Sequence, residues 1–291
     1  MFSGAIVAIV TPFEDGKIDE KSFRNLINFQ IKAGVSGIVP CGTTGESATL
    51  SHKEHERVID ICVEEVAKRV PVIAGTGSNS TAEAIRLTKH AKDAGADAAL
   101  LITPYYNKPT QKGLYEHYAA VAKACDIPQI LYNVPGRTGV NMASETVVEL
   151  SKIDTIVGIK EASGDLVKSS QIARDTRDDF CVLSGEDALN LPILCVGGTG
   201  AISVTANILP GKLADMIKAW ESGDVKKARE IYFDLLEINS MLFVETNPIP
   251  VKTALAMMGM VREEFKLPLC TMGEGNRKKL SETLQKYGCI S

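Results

Sequence analysis

Eight short β-branched runs, longer amphipathic patterns between them, and a purely helical stretch after the eighth predict an α/β fold: a (β/α)8 TIM barrel with a C-terminal helical extension. The runs are Gly4 to Val10, Gly37 to Pro40, Val70 to Ala74, Ala98 to Thr103, Gln129 to Tyr132, Ile156 to Lys160, Cys181 to Ser184 and Gly200 to Ser203. Helical patterns lie between them at Glu20 to Ala33, Lys53 to Lys68, Ala82 to Ala94, Gly113 to Ala124, Glu145 to Ser151 and Val167 to Thr176. A strand and a helix recurring every ~25–30 residues require parallel strands joined by crossovers, and eight such units imply closure. An open doubly wound sheet is the alternative reading of the same alternation. Beyond Ser203 the pattern is helical only, at Pro210 to Glu221, Val225 to Val244, Pro250 to Met260 and Glu274 to Tyr287, with Pro248 and Pro250 bracketing a break. Residues 1–223 are therefore expected to form the catalytic barrel and residues 224–291 a helical region.

Composition narrows the partners. Of 291 residues, 45% are hydrophobic and 23% charged, as in ordinary globular enzymes. A net charge of -4 without any Lys/Arg block gives no field to hold nucleic acid or an anionic membrane, so neither partner is expected. Seven cysteines, at 41, 62, 125, 181, 195, 270 and 289, include no CxxC pair or metal-ligand spacing and read as reduced thiols. The apolar stretch Ala5 to Val10 runs into Thr11-Pro12 and is too short for a signal peptide or membrane span, so a cytoplasmic location is expected.

In such a barrel, chemistry sits at the C-terminal ends of the strands. Lys160 ends the run Ile156-Val157-Gly158-Ile159 and precedes the acidic stretch beginning at Glu161. Strand alternation places Ile156, Gly158 and Lys160 on one face and Val157 and Ile159 on the other, with Gly158 leaving room beneath the amine. A lysine partly withdrawn from water gives up its proton more readily, and the neutral amine attacks carbonyl carbon. An ordinary lysine at a strand end fits the same pattern.

Other strand exits add candidates. The second delivers Cys41-Gly42-Thr43-Thr44-Gly45-Glu46, whose backbone N–H groups and two hydroxyls suit a small carboxylate, or equally a plain βα turn with a threonine cap. The fourth ends in Thr103-Pro104-Tyr105-Tyr106 and the fifth in Tyr132-Asn133-Val134-Pro135-Gly136-Arg137-Thr138. Tyrosine and threonine hydroxyls in contact can relay protons, and Arg137 suits bidentate binding of a carboxylate; packing and surface roles stay open for each. The seventh exit holds Ser184-Gly185-Glu186-Asp187, and Gly197-Gly198-Thr199-Gly200 precedes the eighth strand, a region where barrels often hold phosphate. A phosphosugar enzyme is therefore a rival, although it leaves Lys160 and the tyrosines without a role. Gly75-Thr76-Gly77 lacks the third glycine of a dinucleotide fingerprint, and His52 with His55 does not make an HExxH zinc site. No metal and no cofactor is expected.

Together, Lys160, Thr43-Thr44, Tyr132 and Arg137 give a chain that resembles the dihydrodipicolinate synthase family of the pyruvate-dependent class I aldolase superfamily. The resemblance covers nearly the whole chain, from Gly4-Ala5-Ile6-Val7-Ala8 and Thr11-Pro12-Phe13, through Gly42 to Ser47, Tyr132 to Thr138 and Gly158 to Ala162, to Asn247-Pro248. It implies a Schiff base between Lys160 and pyruvate, an enamine that attacks L-aspartate 4-semialdehyde, and cyclisation through the substrate amine. It further implies that Thr43 and Thr44 hold the pyruvate carboxylate and that Thr43, Tyr132 and Tyr106 form a proton relay, with Tyr106 donated by a neighbouring subunit. Arg137 would bind the semialdehyde carboxylate, and Gly185 and Ile202 would line the pocket. N-acetylneuraminate lyase and 2-keto-3-deoxy sugar acid aldolase activities are the alternatives within the superfamily. A silent relative that only binds a 2-oxo acid is the alternative outside catalysis.

The resemblance also implies feedback inhibition by L-lysine at a subunit interface. The corresponding positions are Ser47, Ala48, His52, His55, Asn79, Glu83 and Tyr105, with Glu83 suited to an ammonium and Asn79 and Tyr105 to the carboxylate. A homo-oligomer, a tetramer of tight dimers, is expected on the same ground.

Overall fold

In a computed structural model that describes residues 2–291, the eight β-branched runs become eight parallel strands of one sheet. Met1, the first residue of the expected barrel segment, lies outside the described residues. The strands are β1 Gly4–Ala8, β2 Gly37–Val39, β3 Ile73–Gly75, β4 Ala98–Ile102, β5 Gln129–Asn133, β6 Ile156–Glu161, β7 Cys181–Ser184 and β8 Gly200–Ser203. They pair in the order β2-β1-β8-β7-β6-β5-β4-β3, and a parallel bridge from Ile38 to Val72 joins the two ends into a ring. The (β/α)8 barrel is therefore as expected, and the open sheet is excluded by that bridge.

Alternating side chains divide the core into two shells. Ile6, Val39, Ile73, Leu100, Ile130, Leu183 and Ile202 fill the ring. Their neighbours Val7, Ile38 and Ala74 pack outward against the helices. Helices start where the sequence supplies caps: Asp19 accepts from Ser22 N at 3.0 Å, and Ser51 with Glu54 forms a capping box ahead of His52–Val66.

Strand ends shift where side chains take over backbone pairing. β1 stops at Ala8 because Val10 N donates to Asn207 Oδ1 at 3.2 Å instead of to a neighbouring strand. β3 begins only at Ile73, because Pro71 has no N–H and Val72 N donates to Asp97 Oδ2 at 2.9 Å. Two elements escape the periodicity reading. Phe13–Glu14 and Lys17–Ile18 form a hairpin whose Asp15 and Gly16 have φ of 52° and 76°. Asn190–Cys195 is a helix of six residues, too short to show a period.

Pro210–Glu221 packs on β1 as the eighth barrel helix. The later helices Val225–Met241, Ile249–Met257 and Glu274–Lys286 share the barrel's outer core through Leu235, Ile238, Leu255, Leu280 and Leu284. The expected break between the tail helices lies between Met241 and Ile249, just ahead of Pro250, which occupies the first turn of the next helix, where its missing N–H has no helical partner to lose. No described helix is long and apolar enough to cross a membrane.

Candidate active site

β5 and β6 lie side by side, with Tyr132 opposite Lys160 in the parallel register. Both are inward-facing and both are 6% exposed. The Lys160 ammonium stands 4.3 Å from the centre of the Tyr132 ring. Among the described residues no carboxylate lies within ion-pairing distance of it. Glu186 is the carboxyl that feels its charge: burial and the neighbouring Asp187 push Glu186 above the usual carboxylate range, and Lys160 pulls it partly back.

The room for this lysine does not come from Gly158, as alternation predicts. A Cβ on Gly158 would lie 2.0 Å from Cys181 Sγ, so that space is already filled. Gly185, just beyond β7, is the glycine that matters, since a Cβ there would stand 2.9 Å from Lys160 Cε. The face assignment of Ile156 is corrected as well. A register irregularity in the β5–β6 pairing sends Ile156 into the outer layer beside Ile159, while Val157 packs on the inner cluster.

The loop after β2 brings Thr43 to the same place. Thr43 and Tyr132 line one small cavity of about 30 Å³, together with Gly42, Ser47, Leu100 and Ile102. The loop is set by left-handed backbone at Cys41 and Glu46, with φ of 55° and 56°, and by turn bonds from Gly45 N and Glu46 N, each 3.1 Å. Among the described residues no acceptor takes the backbone N–H of Thr43 or Thr44. Two adjacent free donors suit an anion. Thr44 itself is 2% exposed, and its Oγ1 accepts from Asn247 Nδ2 at 3.1 Å.

A larger cavity of about 450 Å³ opens beside this one, and Lys160 lines neither of the two. Thr43, Arg137 and Asn247 form one wall, and Ser47, His52 and Glu83 belong to another. Arg137 is exposed, on the short helix Pro135–Thr138, and its Nη2 donates to Asn247 O at 3.1 Å. Asn247 thus joins Thr44 to Arg137, a link the sequence reading did not find.

Of the positions expected to hold lysine, Ala48, His55 and Tyr105 also line the large cavity. Asn79 does not line it, but its Nδ2 donates to Tyr105 O at 3.2 Å. Glu83 stays ionised below the usual carboxylate range, chiefly through a hydrogen bond from Ser78, and it contacts His52 Nε2 at 2.7 Å. Burial pushes the His55 imidazole down to about 4, so it is neutral.

Three expected residues stand apart. Tyr106 is 90% exposed with φ 71° and is not brought to Thr43 and Tyr132 within one chain. Ile202 is 1% exposed in the inner cluster that includes Tyr132, and Gly185 touches the lysine stem, but neither lines the two cavities. All seven cysteines are free.

The phosphate rival meets a specific obstacle. Beyond β8, the N–H groups of Val204 and Thr205 both donate at 2.9 Å to Asp187 Oδ2, so an internal carboxylate already fills that anion position. Thr199 is at the opposite end of β8, where it bonds Phe2 O and Val182 O.

The sequence reading also missed the ion pair that holds the Thr43-Thr44 loop. Glu46 Oε1 and Lys252 Nζ are 2.5 Å apart with both side chains fully buried, and Lys266 N donates to Glu46 Oε2 at 3.0 Å. Lys252 lies in Ile249–Met257, where every residue from Ile249 to Leu255 is buried. A lysine in a helix otherwise apolar except for Thr253 hints at burial but says nothing of its partner.

The geometry thus offers a buried amine against a tyrosine, beside a loop with free N–H donors, at the C-terminal mouth of a barrel. A family model described as the Dihydrodipicolinate synthetase family matches residues 1–287. A 4-hydroxy-tetrahydrodipicolinate synthase from Thermodesulfovibrio yellowstonii is 59% identical over 290 residues, covering 100% of both chains. The structure of a dihydrodipicolinate synthase from Acinetobacter baumannii in complex with pyruvate has a TM-score of 0.97 at 47% identity, covering 100% of both chains. That of the enzyme from Cyanidioschyzon merolae with lysine bound has a TM-score of 0.97 at 39% identity, covering 99% of each. Sequence, fold and site agree, and the chain belongs to the dihydrodipicolinate synthetase family of enzymes.

Proposed function

We propose that this protein is a 4-hydroxy-tetrahydrodipicolinate synthase, a lyase condensing pyruvate with L-aspartate 4-semialdehyde in diaminopimelate and lysine biosynthesis. The observation that carries the reading is Lys160: buried, 4.3 Å from the Tyr132 ring, and with no ion-pairing carboxylate among the described residues. Its Nζ adds to the keto carbon of pyruvate, the carbinolamine loses water, and loss of a methyl proton leaves an enamine. The enamine carbon attacks the aldehyde, and the semialdehyde's amine then displaces Lys160 as the ring closes. The free N–H groups of Thr43 and Thr44 support their holding the pyruvate carboxylate. Thr43 and Tyr132 share a cavity, as a relay for the dehydration and methyl protons requires. The partner subunit's Tyr106 completes that relay in an oligomer, a tetramer of tight dimers. The exposure of Tyr106 agrees with a role across an interface; a fully active engineered monomer would contradict it.

Borohydride added with pyruvate should leave a pyruvyl adduct on Lys160, and a labelled peptide elsewhere ends the assignment. Comparing aspartate semialdehyde, N-acetylmannosamine and glyceraldehyde as acceptors tests the substrate; preference for either of the latter two assigns a sugar-acid aldolase instead.

L-lysine is the proposed feedback inhibitor. Ionised Glu83 supports ammonium binding, and its cavity reaches Thr43 and Arg137, so an occupant there touches residues of both sites. The lysine-bound relative from Cyanidioschyzon merolae points the same way. Activity at subsaturating pyruvate that does not change in excess L-lysine removes this part of the reading.

A further inference from the structure

We infer that Asn133 and Glu161 are positioning residues that fix the Tyr132–Lys160 pair from behind. This deepens the reading of Lys160 as the Schiff-base lysine and rests on it. Asn133 and Glu161 follow Tyr132 and Lys160 in their strands and are themselves register partners. Alternation turns them to the outside of the ring, where they are 0% and 1% exposed.

There they bind each other and little else can substitute. Asn133 Nδ2 donates to Glu161 Oε2 at 3.0 Å and to Asn141 Oδ1 at 2.9 Å, while Asn133 Oδ1 accepts from Met142 N at 3.0 Å. Glu161 Oε1 also accepts from Ser163 N at 2.6 Å. Lys168, 8% exposed, donates to Asn141 Oδ1 and, at 2.8 Å, to Met142 O. One network therefore ties β5, β6, the segment after the Arg137 helix and the helix Leu166–Asp175.

Its place explains why polar groups are kept in an otherwise apolar layer beside Leu131, Ile159 and Ile172. The register irregularity between Gln129 and Ile130 interrupts the regular β5–β6 ladder and leaves its far end freer to shift. A hydrogen-bonded side-chain pair at the last register position removes that freedom at the point where amine and phenol must meet. Removing either partner strands a buried polar group, and a misplacement of ~1 Å at a reacting centre costs about 100-fold in rate.

The test uses the full-length protein and the variants Asn133→Ala, Glu161→Gln and Lys168→Met. Wild type is first trapped with pyruvate and borohydride; no adduct on Lys160 sinks the functional reading and this inference together. With the adduct present, Asn133→Ala should lower kcat about 10- to 100-fold while KM for pyruvate stays within about threefold and the folded fraction is unchanged. Glu161→Gln, which keeps an acceptor for Asn133, should show only a small part of that loss. A kcat that falls only with the folded fraction, or equal losses in both variants, assigns the network to stability alone and overturns the inference. Should Asn133→Ala not fold, Lys168→Met answers from the far end, where a threefold or greater loss of kcat is expected, by roughly the same positional argument, and an unchanged kcat overturns it.

Discussion

Lys160 and Lys252 are both buried toward the C-terminal mouth of the barrel, and their surroundings are opposite. Lys252 is 0% exposed, paired with Glu46 and seated 4.0 Å from the Phe13 ring and 5.3 Å from the Phe265 ring. Burial pushes its ammonium down to about 8 against the raising pull of Glu46. Lys160 has a tyrosine, the room left by Gly185 and, among the described residues, no carboxylate within ion-pairing distance. Burial alone therefore does not identify the reactive amine here. Lys252 is enclosed by its counter-ion and two rings, so no carbonyl can approach it. The absence of a fixed counter-ion separates the proposed nucleophile from a tether.

Replacing each lysine by methionine sets the two environments against each other. Lys160→Met should abolish the pyruvyl adduct and lower kcat by about 1,000-fold or more, since no other amine is placed to replace it. Its fold should survive, because no buried counter-charge is left behind. Lys252→Met should do the reverse: the adduct still forms on Lys160, while stability falls by about 3–5 kcal/mol from the uncompensated Glu46. Adding Glu46→Gln to Lys252→Met should restore much of that loss. Chemical denaturation alongside borohydride trapping measures both; loss of the adduct in Lys252→Met with the fold intact would break the contrast.

The two lysines also differ in how readily sequence reveals them. Lys160 was legible because a strand exit is a local signal, an apolar run stopping at a charge. Lys252 was not, because its partner lies 206 residues away and only tertiary packing brings the pair together. The barrel itself was legible down to the ends of β7 and β8, since alternation repeats eight times. The role given to Gly158 failed because Cys181 of the neighbouring strand fills that space, and the face given to Ile156 failed because a register irregularity is invisible to period-two counting, whereas Gly185 depends on where β7 ends relative to β6. The link through Asn247 escaped the sequence for the same reason as the Lys252 pair: Thr44 and Arg137 meet it only through the tail.

Arg137 tests whether the mouth divides into a donor end and an acceptor end. Its guanidinium is exposed on the large cavity, away from the Tyr132–Lys160 pair. Arg137→Ala should therefore leave adduct formation with pyruvate within about twofold, yet lower kcat/KM for the semialdehyde by about 100-fold, the range of a charge-assisted carboxylate contact. Equal loss in both steps would make the arginine a support for Asn247 rather than a contact to the acceptor.

Burial without a counter-charge should also appear in the pH dependence of stability, as a smaller effect. His55 and His117 are 5% and 6% exposed, and burial holds both imidazoles down to about 4 from an ordinary value of 6.5. His117 has Thr81 Oγ1 at 2.9 Å on Nδ1, and its Nε2 has no partner. Because the unfolded chain takes up these protons first, each histidine contributes stability that is complete above pH 6.5 and lost as the pH falls toward 4. Between pH 6.5 and 5.5 the loss should be about 1 kcal/mol for each. His117→Gln should remove about half of this acid sensitivity in denaturant melts while leaving the adduct on Lys160 intact. A melt that keeps the full wild-type slope would mean that His117 is protonated with equal ease in the folded and unfolded chains. The contrast between paired and unpaired buried bases would then hold for the lysines alone.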